Sequence, residues 1–290
     1  MTTATLDTSR DPGRLAAVGR KLREVPPAPA LAFVVVLFFI IAAVAPQLLT
    51  TRDPLMIDLS NTLQPPSFAH PFGTDQSGRD LLTRVIYGTR ESLMIGLGAT
   101  ALATAVALLL GFSAGLGGRF ADGLINRGLE VLFAFPVLLL AMLFVTIYGP
   151  SVTTQIIAVG LGTAPGYARM VRGQVLAVRH SGYVEAAHGL GHSRWAVLRQ
   201  HVFPNAMRPL VAVITLGIGQ SIVWASGLAF LGLGVAPPSP EWGALLDAGR
   251  MFITRAWWLA VMPGLVIVVI ALAATSIGQF IQKKLEGAPS

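Results

Sequence analysis

The sequence predicts an all-α polytopic membrane protein with six transmembrane helices. Composition is the first reason: of 290 residues, 53% are hydrophobic and only 12% charged, against about 25% charged in a typical soluble domain. The second is length, because six apolar stretches each supply the ~20 residues that cross a ~30 Å hydrocarbon layer. The third is charge placement, with basic residues concentrated in alternate intervals between those stretches. The net charge of +7 therefore reads as topological bias, not as a nucleic-acid footprint. The chain has no Cys, which excludes a disulfide framework, a Cys-ligated zinc site and thiol chemistry. It also has no G-x-x-x-x-G-K-[ST] sequence, so nucleotide energy must come from a partner.

Residues 1–30 form a basic tail with Arg10, Arg14, Arg20, Lys21 and Arg23, closed by a joint at Pro26, Pro27 and Pro29. Residues 31–49 are the first span. Ala43-Val44-Ala45 imitates a signal-peptide cleavage site, but Pro46 directly after it hinders cleavage. The reading is an uncleaved signal anchor with its N-terminus inside.

Residues 50–92 form an external segment with an amphipathic helix. Ser77 and Asp80 have capping-box spacing. Leu81, Leu82, Val85 and Ile86 share the face of a short helix that lies along the interface or against the core. Asp75 and Asp80 read as caps and as ion-pair partners of Arg79 or Arg84. A hard-cation site needs about six oxygens, which this loop does not supply.

Residues 93–282 are a five-helix core, with spans at 93–116, 124–148, 152–171, 207–235 and 258–281, and 283–290 are the C-terminus. With the N-terminus inside, fifteen Lys and Arg fall inside: five in the tail, two at Arg119 and Arg127, six between Arg169 and Arg208, two at Lys283 and Lys284. Only six fall outside: Arg52, Arg79, Arg84, Arg90, Arg250 and Arg255. This obeys the positive-inside rule and places the polar loop 179–206 in the cytoplasm.

That loop reads as two short helices around a Gly elbow. Val184, Ala187 and Leu190 share one face, and Trp195, Leu198 and Val202 share the next. Gly191 suits a helix C-terminus, Ser193 caps the helix that follows, and Pro204 is expected to stop it.

Small residues recur in the spans: Gly111 and Gly115 as G-x-x-x-G, with pairs at Gly96/Gly98, Gly160/Gly162, Gly217/Gly219 and Gly232/Gly234. They predict close helix packing, or sliding contacts between two arrangements. The fourth span is the most polar. Thr153, Thr154 and Gln155, with Gln220 and Ser221 of the fifth, are candidates for a wet path, against the plainer reading of back-bonding and inter-helix contacts. Span interiors are nearly free of charge, with Glu130 the deepest. A self-contained channel or secondary transporter, which invests in buried ionisable groups, is disfavoured on that ground. An enzyme is disfavoured because no nucleophile, base and orienter stand together. His188, His192 and His201 lie on the loop and read as surface hydrogen-bonding groups.

Glu185-Ala186-Ala187, then Gly191, then Pro204 in this spacing resemble the EAA signature of ABC-importer permease subunits. The filling residues Leu190, Ser193, Trp195, His201 and Asn205 resemble its peptide and nickel branch. So do Gly73, Thr74, Asp75, Gly78, Arg79 and Asp80 in HPFGTDQSGRD, and FLGLG, PP and WG after the fifth span. The likeness covers 69–281 in four ordered blocks. It departs at Thr275, Gly278, Gln279, Gln282 and Lys283, where relatives show an Asn…Gly-Asp…Arg-Asp series.

The resemblance implies a type I ABC importer permease fold in a bacterial cytoplasmic membrane, with both termini cytoplasmic. It implies one half of a pore completed by a homologous second permease in a heterodimer, with two ABC ATPase subunits below and an external solute-binding protein. ATP and Mg would sit on the ATPases, and this chain would bind no cofactor, metal or nucleic acid. Glu185 would make a polar contact with the ATPase and Gly191 would form the elbow. Trp195 or Leu198 would fill an apolar pocket, and Pro204 would set the angle to the fifth span. Peptides are the implied cargo, with nickel, glutathione, haem or opine-like solutes as alternatives.

Overall fold

The computed structural model describes residues 27–286. Of the tail read at 1–30, residues 1–26 lie outside the described residues, as do 287–290 of the C-terminus read at 283–290; residues 27–30 belong to the first helix and 283–286 to the last.

The first helix, α1 (Pro27–Val44), is apolar on every side, as a lipid-embedded helix is. The next, α2 (Leu81–Leu116), runs unbroken for 36 residues. The expected amphipathic helix and second span are thus one element, ~54 Å long at 1.5 Å per residue. Its first turns pack against the core, with Leu81, Val85 and Ile86 buried. The cap is Asp80, whose side chain accepts from the Thr83 amide. Ser77 does not cap it but lies in the preceding turn, where Asp75 accepts its amide.

The expected third span is broken. Helix α3 (Arg119–Ala134) and helix α4 (Val137–Tyr148) meet at an 82° bend. Pro136 has no N–H to continue the ladder, and it holds Phe135 in extended conformation (φ −80°, ψ 119°).

Helix α5 (Val152–Arg179) is longer than the expected span and carries Pro165 inside it. It is followed by the short α6 (Gly182–Gly189). Helix α7 then runs from Arg194 to Leu233, 40 residues. Pro204 therefore does not stop the loop helix, contrary to the sequence expectation. A π-helical turn at Leu198–Val202 precedes it, with the Phe203 amide donating to the Leu198 carbonyl five residues back. This wider turn absorbs the ring and the missing donor of Pro204. A second π turn, Ala229–Leu233, ends the helix. Helices α8 (Trp242–Arg250) and α9 (Trp258–Glu286) complete the described chain.

Four helices, α1, α2, α7 and α9, are each long and apolar enough to cross a membrane, and the bent pair α3–α4 makes a fifth candidate. Helix α5 falls short on hydropathy yet runs parallel to α2 along most of its length, so a sixth pass shielded by protein neighbours is compatible with the fold. The pairing is fixed by small residues. A Cβ on Gly111 would lie 2.6 Å from Val171, one on Gly115 2.6 Å from Val175, and one on Gly96 2.3 Å from Ile222. The G-x-x-x-G of α2 is thus the seat of α5.

Passes alternate in direction. Phe33 of α1 meets Phe280 of α9 at one end, and Phe39 meets Trp242 at the other. The 179–206 loop and both ends of the described chain share one end. The 50–80 and 235–257 segments share the opposite end. Each end has its own core: Trp242, Leu81, Val85, Leu245 and Trp258 at the second, and Val171, Val175, Val184, Val197 and Val202 at the loop end.

Candidate functional site

The loop is built as a rigid projection. Val184 and Ala187 of α6 are buried, and Val197 and Val202 of α7 join them in the core at the ends of α2 and α5. Helix α6 closes with a Schellman motif: the Gly191 amide donates to the His188 carbonyl at 3.0 Å, and the His192 amide to the Ala187 carbonyl at 3.1 Å. That motif requires a left-handed residue, and Gly191 has φ +81°. Ser193 then caps α7, accepting from the Ala196 amide. Local sequence explains each step: an apolar pair turned inward, a Gly at the elbow and a Ser at the cap.

The anchored residues leave a distinct outward face. Glu185 and Ala186 are exposed, and the apolar Leu190 and Trp195 are 79% and 69% exposed. Leu198 is half-buried, His201 is half-buried beside the rings of Tyr183 and His192, and Pro204 is exposed. Glu185 makes no ion pair among the described residues. Arg179 donates to the Gly115 carbonyl at 3.1 Å and closes the end of α2. A cavity of about 730 Å³ opens between Leu116, Arg179, His188, Trp195 and Leu198. The loop thus presents two exposed apolar side chains, one unpaired carboxylate and an open pocket, all on fixed backbone.

At the opposite end the motif residues 73–80 hold the external segment together. Gly73 (φ +77°) packs on the Trp258 ring, and Gly78 (φ +74°) lies on the Asp58 carbonyl. Thr74 bonds to Asn61 and Gln64, and its carbonyl accepts from Trp258 Nε1 at 3.2 Å. Asp75 accepts the Ser77 and Arg79 amides and pairs with Arg84 Nη1 at 2.7 Å. The Arg79 side chain keeps a buried Nε without a partner. Asp80 caps α2 and pairs with Arg52 Nη1 at 2.7 Å and His70 Nδ1 at 2.8 Å. Burial opposes ionisation of Asp80, but the Thr83 amide and hydroxyl, His70 and Arg52 outweigh it and hold its carboxyl below its ordinary 3.8. Both aspartates therefore serve as caps and ion-pair partners, and among the described residues no three His, Asp or Glu side chains converge as a metal site.

The candidate path residues are not brought onto one surface. Thr153 and Gln220 are exposed, while Thr154, Gln155 and Ser221 are buried. Thr154 is satisfied by Ser151 and the Gly149 carbonyl, and Ser221 accepts from Thr100 at 3.0 Å. Gln155 has neither amide atom bonded.

Two arrangements escaped sequence reasoning. Glu241 is fully buried and caps α8 through the Gly243 and Ala244 amides, and it accepts from Ser92 of α2 at 2.9 Å. Burial pushes its carboxyl up, against those donors. Arg172 of α5 grips Asp122 of α3 with two bonds of 2.6 Å. Fifty residues separate that pair, so no local pattern announces it.

The sequence profile of the binding-protein-dependent transport system inner membrane component family matches residues 107–287. The chain belongs to that family. It is 38% identical over 255 residues to the probable D,D-dipeptide transport system permease protein DdpC of Escherichia coli (strain K12), covering 88% of this chain and 85% of that one. It is 38% identical over 221 residues to the glutathione transport system permease protein GsiD of Pectobacterium atrosepticum, covering 76% of this chain and 73% of the relative. Its fold matches a chain of the MetNI methionine ABC transporter with TM-score 0.58, at 17% identity, covering 71% of this chain and 96% of that chain. The protein is thus a multi-pass inner-membrane permease component with the fold of a type I ABC importer subunit. As a member of this family it acts as a transport subunit, not as an enzyme.

Proposed function

We propose that this permease forms half of the translocation path of an ATP-driven importer of di- or oligopeptides. A homologous second permease supplies the other half. Two ABC ATPases bind the loop face, carry ATP and Mg, and hydrolyse the nucleotide, and an external binding protein delivers the cargo. Both termini and the loop then face the cytoplasm, consistent with the basic residues at Arg169, Arg172, Arg179, Arg194, Arg199 and Arg208. The peptide assignment rests on the relatives' names and on the motif resemblance.

One observation carries the coupling mechanism: from Arg194 to Leu228 the chain is helical without a break, short of the kink at Gly232. The ATPase engages Leu190, Trp195 and Glu185, and its motion is delivered straight into a pass of the bundle, ~50 Å from end to end at 1.5 Å per residue. The rigid Schellman elbow prevents the push from being lost in the loop. Alternation between inward- and outward-facing states is then a population shift driven by the partner's two nucleotide states. Of the candidate path residues, exposed Thr153 and Gln220 and the unpartnered Gln155 remain candidates for polar lining, while Thr154 and Ser221 are engaged in contacts within the bundle.

The test is purification of the tagged chain from native membranes, followed by reconstitution. Two ATPases, a second permease and a binding protein should co-purify, and the proteoliposomes should take up peptides only with ATP. ATP-independent uptake by this chain alone would refute the proposal, and glutathione or metal uptake in place of peptides would refute the cargo.

A further inference from the structure

Gln155 lies one turn into α5, and its side chain is 1% exposed. Neither Oε1 nor Nε2 has a hydrogen-bond partner. Its own helix continues with Ala158 and Val159, both buried in an apolar cluster with Ala225 and Leu228 of α7. A primary amide is a poor choice for such a place, because burying both polar atoms unpaired costs more than burying Leu or Met of similar size. The backbone beneath it is fixed: Ser151 accepts the Thr154 amide, and the Thr154 hydroxyl bonds the Gly149 carbonyl. The amide is therefore held in place with nothing to bond.

What covers it is the end of α7. A Cβ on Gly234 would fall 2.4 Å from the Ala229 Cβ and 3.1 Å from Gln155 Nε2, so bare glycine backbone lies against the amide. Two residues earlier, Gly232 breaks the helix with φ +81°. Open space surrounds it, with nothing within 4 Å of an added Cβ. A turn at Gly232 carries Gly234 off Gln155, and it lifts Leu233 and Val235 from the apolar cluster they pack against. The other end of this helix is the loop face at Trp195.

We infer that Gln155 is a substrate-contacting residue, covered by Gly234 here and uncovered when residues 230–234 turn about Gly232, its amide then pairing with a backbone peptide group of the cargo. A primary amide offers one acceptor and a donor side by side, as a peptide group does. It carries no charge, so it reads the backbone that all peptides share and ignores their side chains. The inference rests on the peptide-importer reading above.

The test uses the assembled complex in proteoliposomes, supplied with its binding protein and a defined mixture of di- and tripeptides. Gln155→Leu and Gln155→Met remove the hydrogen-bonding atoms and keep the shape. Both should assemble with the second permease and the ATPases and show an unchanged or higher melting temperature. Maximal uptake should fall about tenfold, with the half-saturating concentration of loaded binding protein unaltered, as expected for a contact made inside the path. Because the chain has no Cys, Gln155→Cys gives this chain a single thiol. Methanethiosulfonate modification of it, read by mass spectrometry, should occur during ATP turnover and not at rest, and peptide should slow it. Wild-type uptake by Gln155→Leu and Gln155→Met, or a thiol inert in turnover, overturns the inference while leaving the peptide reading intact. If the wild-type complex takes up no peptide at all, the peptide reading falls and this inference with it.

Discussion

Arg84 and Asp75 form an ion pair at 2.7 Å with side chains only 5% and 2% exposed. Arg84 Nη2 also donates to the Pro238 and Ser239 carbonyls, and Asp75 holds the turn at Ser77 and Arg79. One pair therefore joins α2, the 50–80 segment and the approach to α8. Removing one partner strands the other charge in a dry site. Arg84→Met or Asp75→Leu alone should cost about 3–5 kcal/mol, and the double substitution markedly less than their sum. Thermal unfolding of the four proteins measures this. Additive losses would mean that the two side chains are not coupled.

Asp80 gives this end of the molecule a pH dependence. Its carboxyl is held below 3.8 in the folded protein. The contribution is therefore fully present above the unfolded value and is lost as pH falls through the folded one. Stability read from tryptophan fluorescence should stay level down to about pH 4 and then drop. Asp80→Asn keeps an equally good cap but loses the charge paired with Arg52 and His70; it should lower stability at neutral pH by up to about 1 kcal/mol and should flatten the decline below pH 4. A mutant that keeps the full acid transition would assign it to other carboxylates.

Gly191 separates backbone strain from crowding. Its φ of +81° resists side chains, yet an added Cβ would meet nothing within 4 Å. Gly191→Val should cost about 1–2 kcal/mol of local strain and should abolish ATP-driven uptake by loosening the elbow. Gly191→Asn should stay close to wild type, because Asn visits left-handed conformation. Equal loss in both variants would point to a steric need of the partner.

The loop was legible because its signals are local: a cap at Ser193, an elbow at Gly191 and an apolar pair at Val184 and Ala187. The spans were legible from hydropathy. What hydropathy does not carry is continuity. Leu81–Leu116 reads as two pieces because Arg84, Arg90 and Glu91 interrupt its apolar run, although Arg84 is paired. Residues 124–148 read as one piece because Pro136 sits in an unbroken apolar stretch. Pro204 reads as a stop because the preceding π turn leaves no mark in composition. Path residues were the least legible, since Ser, Thr and Gln have the same letters whether they bond a neighbouring helix or wait for a ligand.

Asp122 and Arg172 hold the bent α3–α4 unit against α5 through two bonds of 2.6 Å. The geometry needs the guanidinium fork, which an ammonium lacks. Arg172→Lys should keep the charge, lose one of the two bonds and lower the melting temperature slightly. A double-mutant cycle with Asp122→Asn, read by thermal unfolding, should show coupling for Arg and a smaller value for Lys. Equal coupling would mean that charge alone joins the helices.

Glu185 distinguishes a contact made within this chain from one made with a partner. It is exposed and forms no ion pair among the described residues, while Val184 and Ala187 on the opposite side of α6 supply the packing. A surface change without internal contacts stays within about 0.5 kcal/mol of wild type, so Glu185→Ala should leave the melting temperature of this permease unchanged. If the ATPase docks here, the same substitution should weaken its co-purification and lower ATP-driven uptake, and a charge reversal on the ATPase should not be needed to keep the permease folded. Glu185→Gln, which keeps hydrogen-bonding capacity without charge, should fall between wild type and Glu185→Ala if the partner offers a cation, and should match wild type if it offers only amides. Full uptake by Glu185→Ala would remove Glu185 from the coupling contact and leave Leu190 and Trp195 as its anchors.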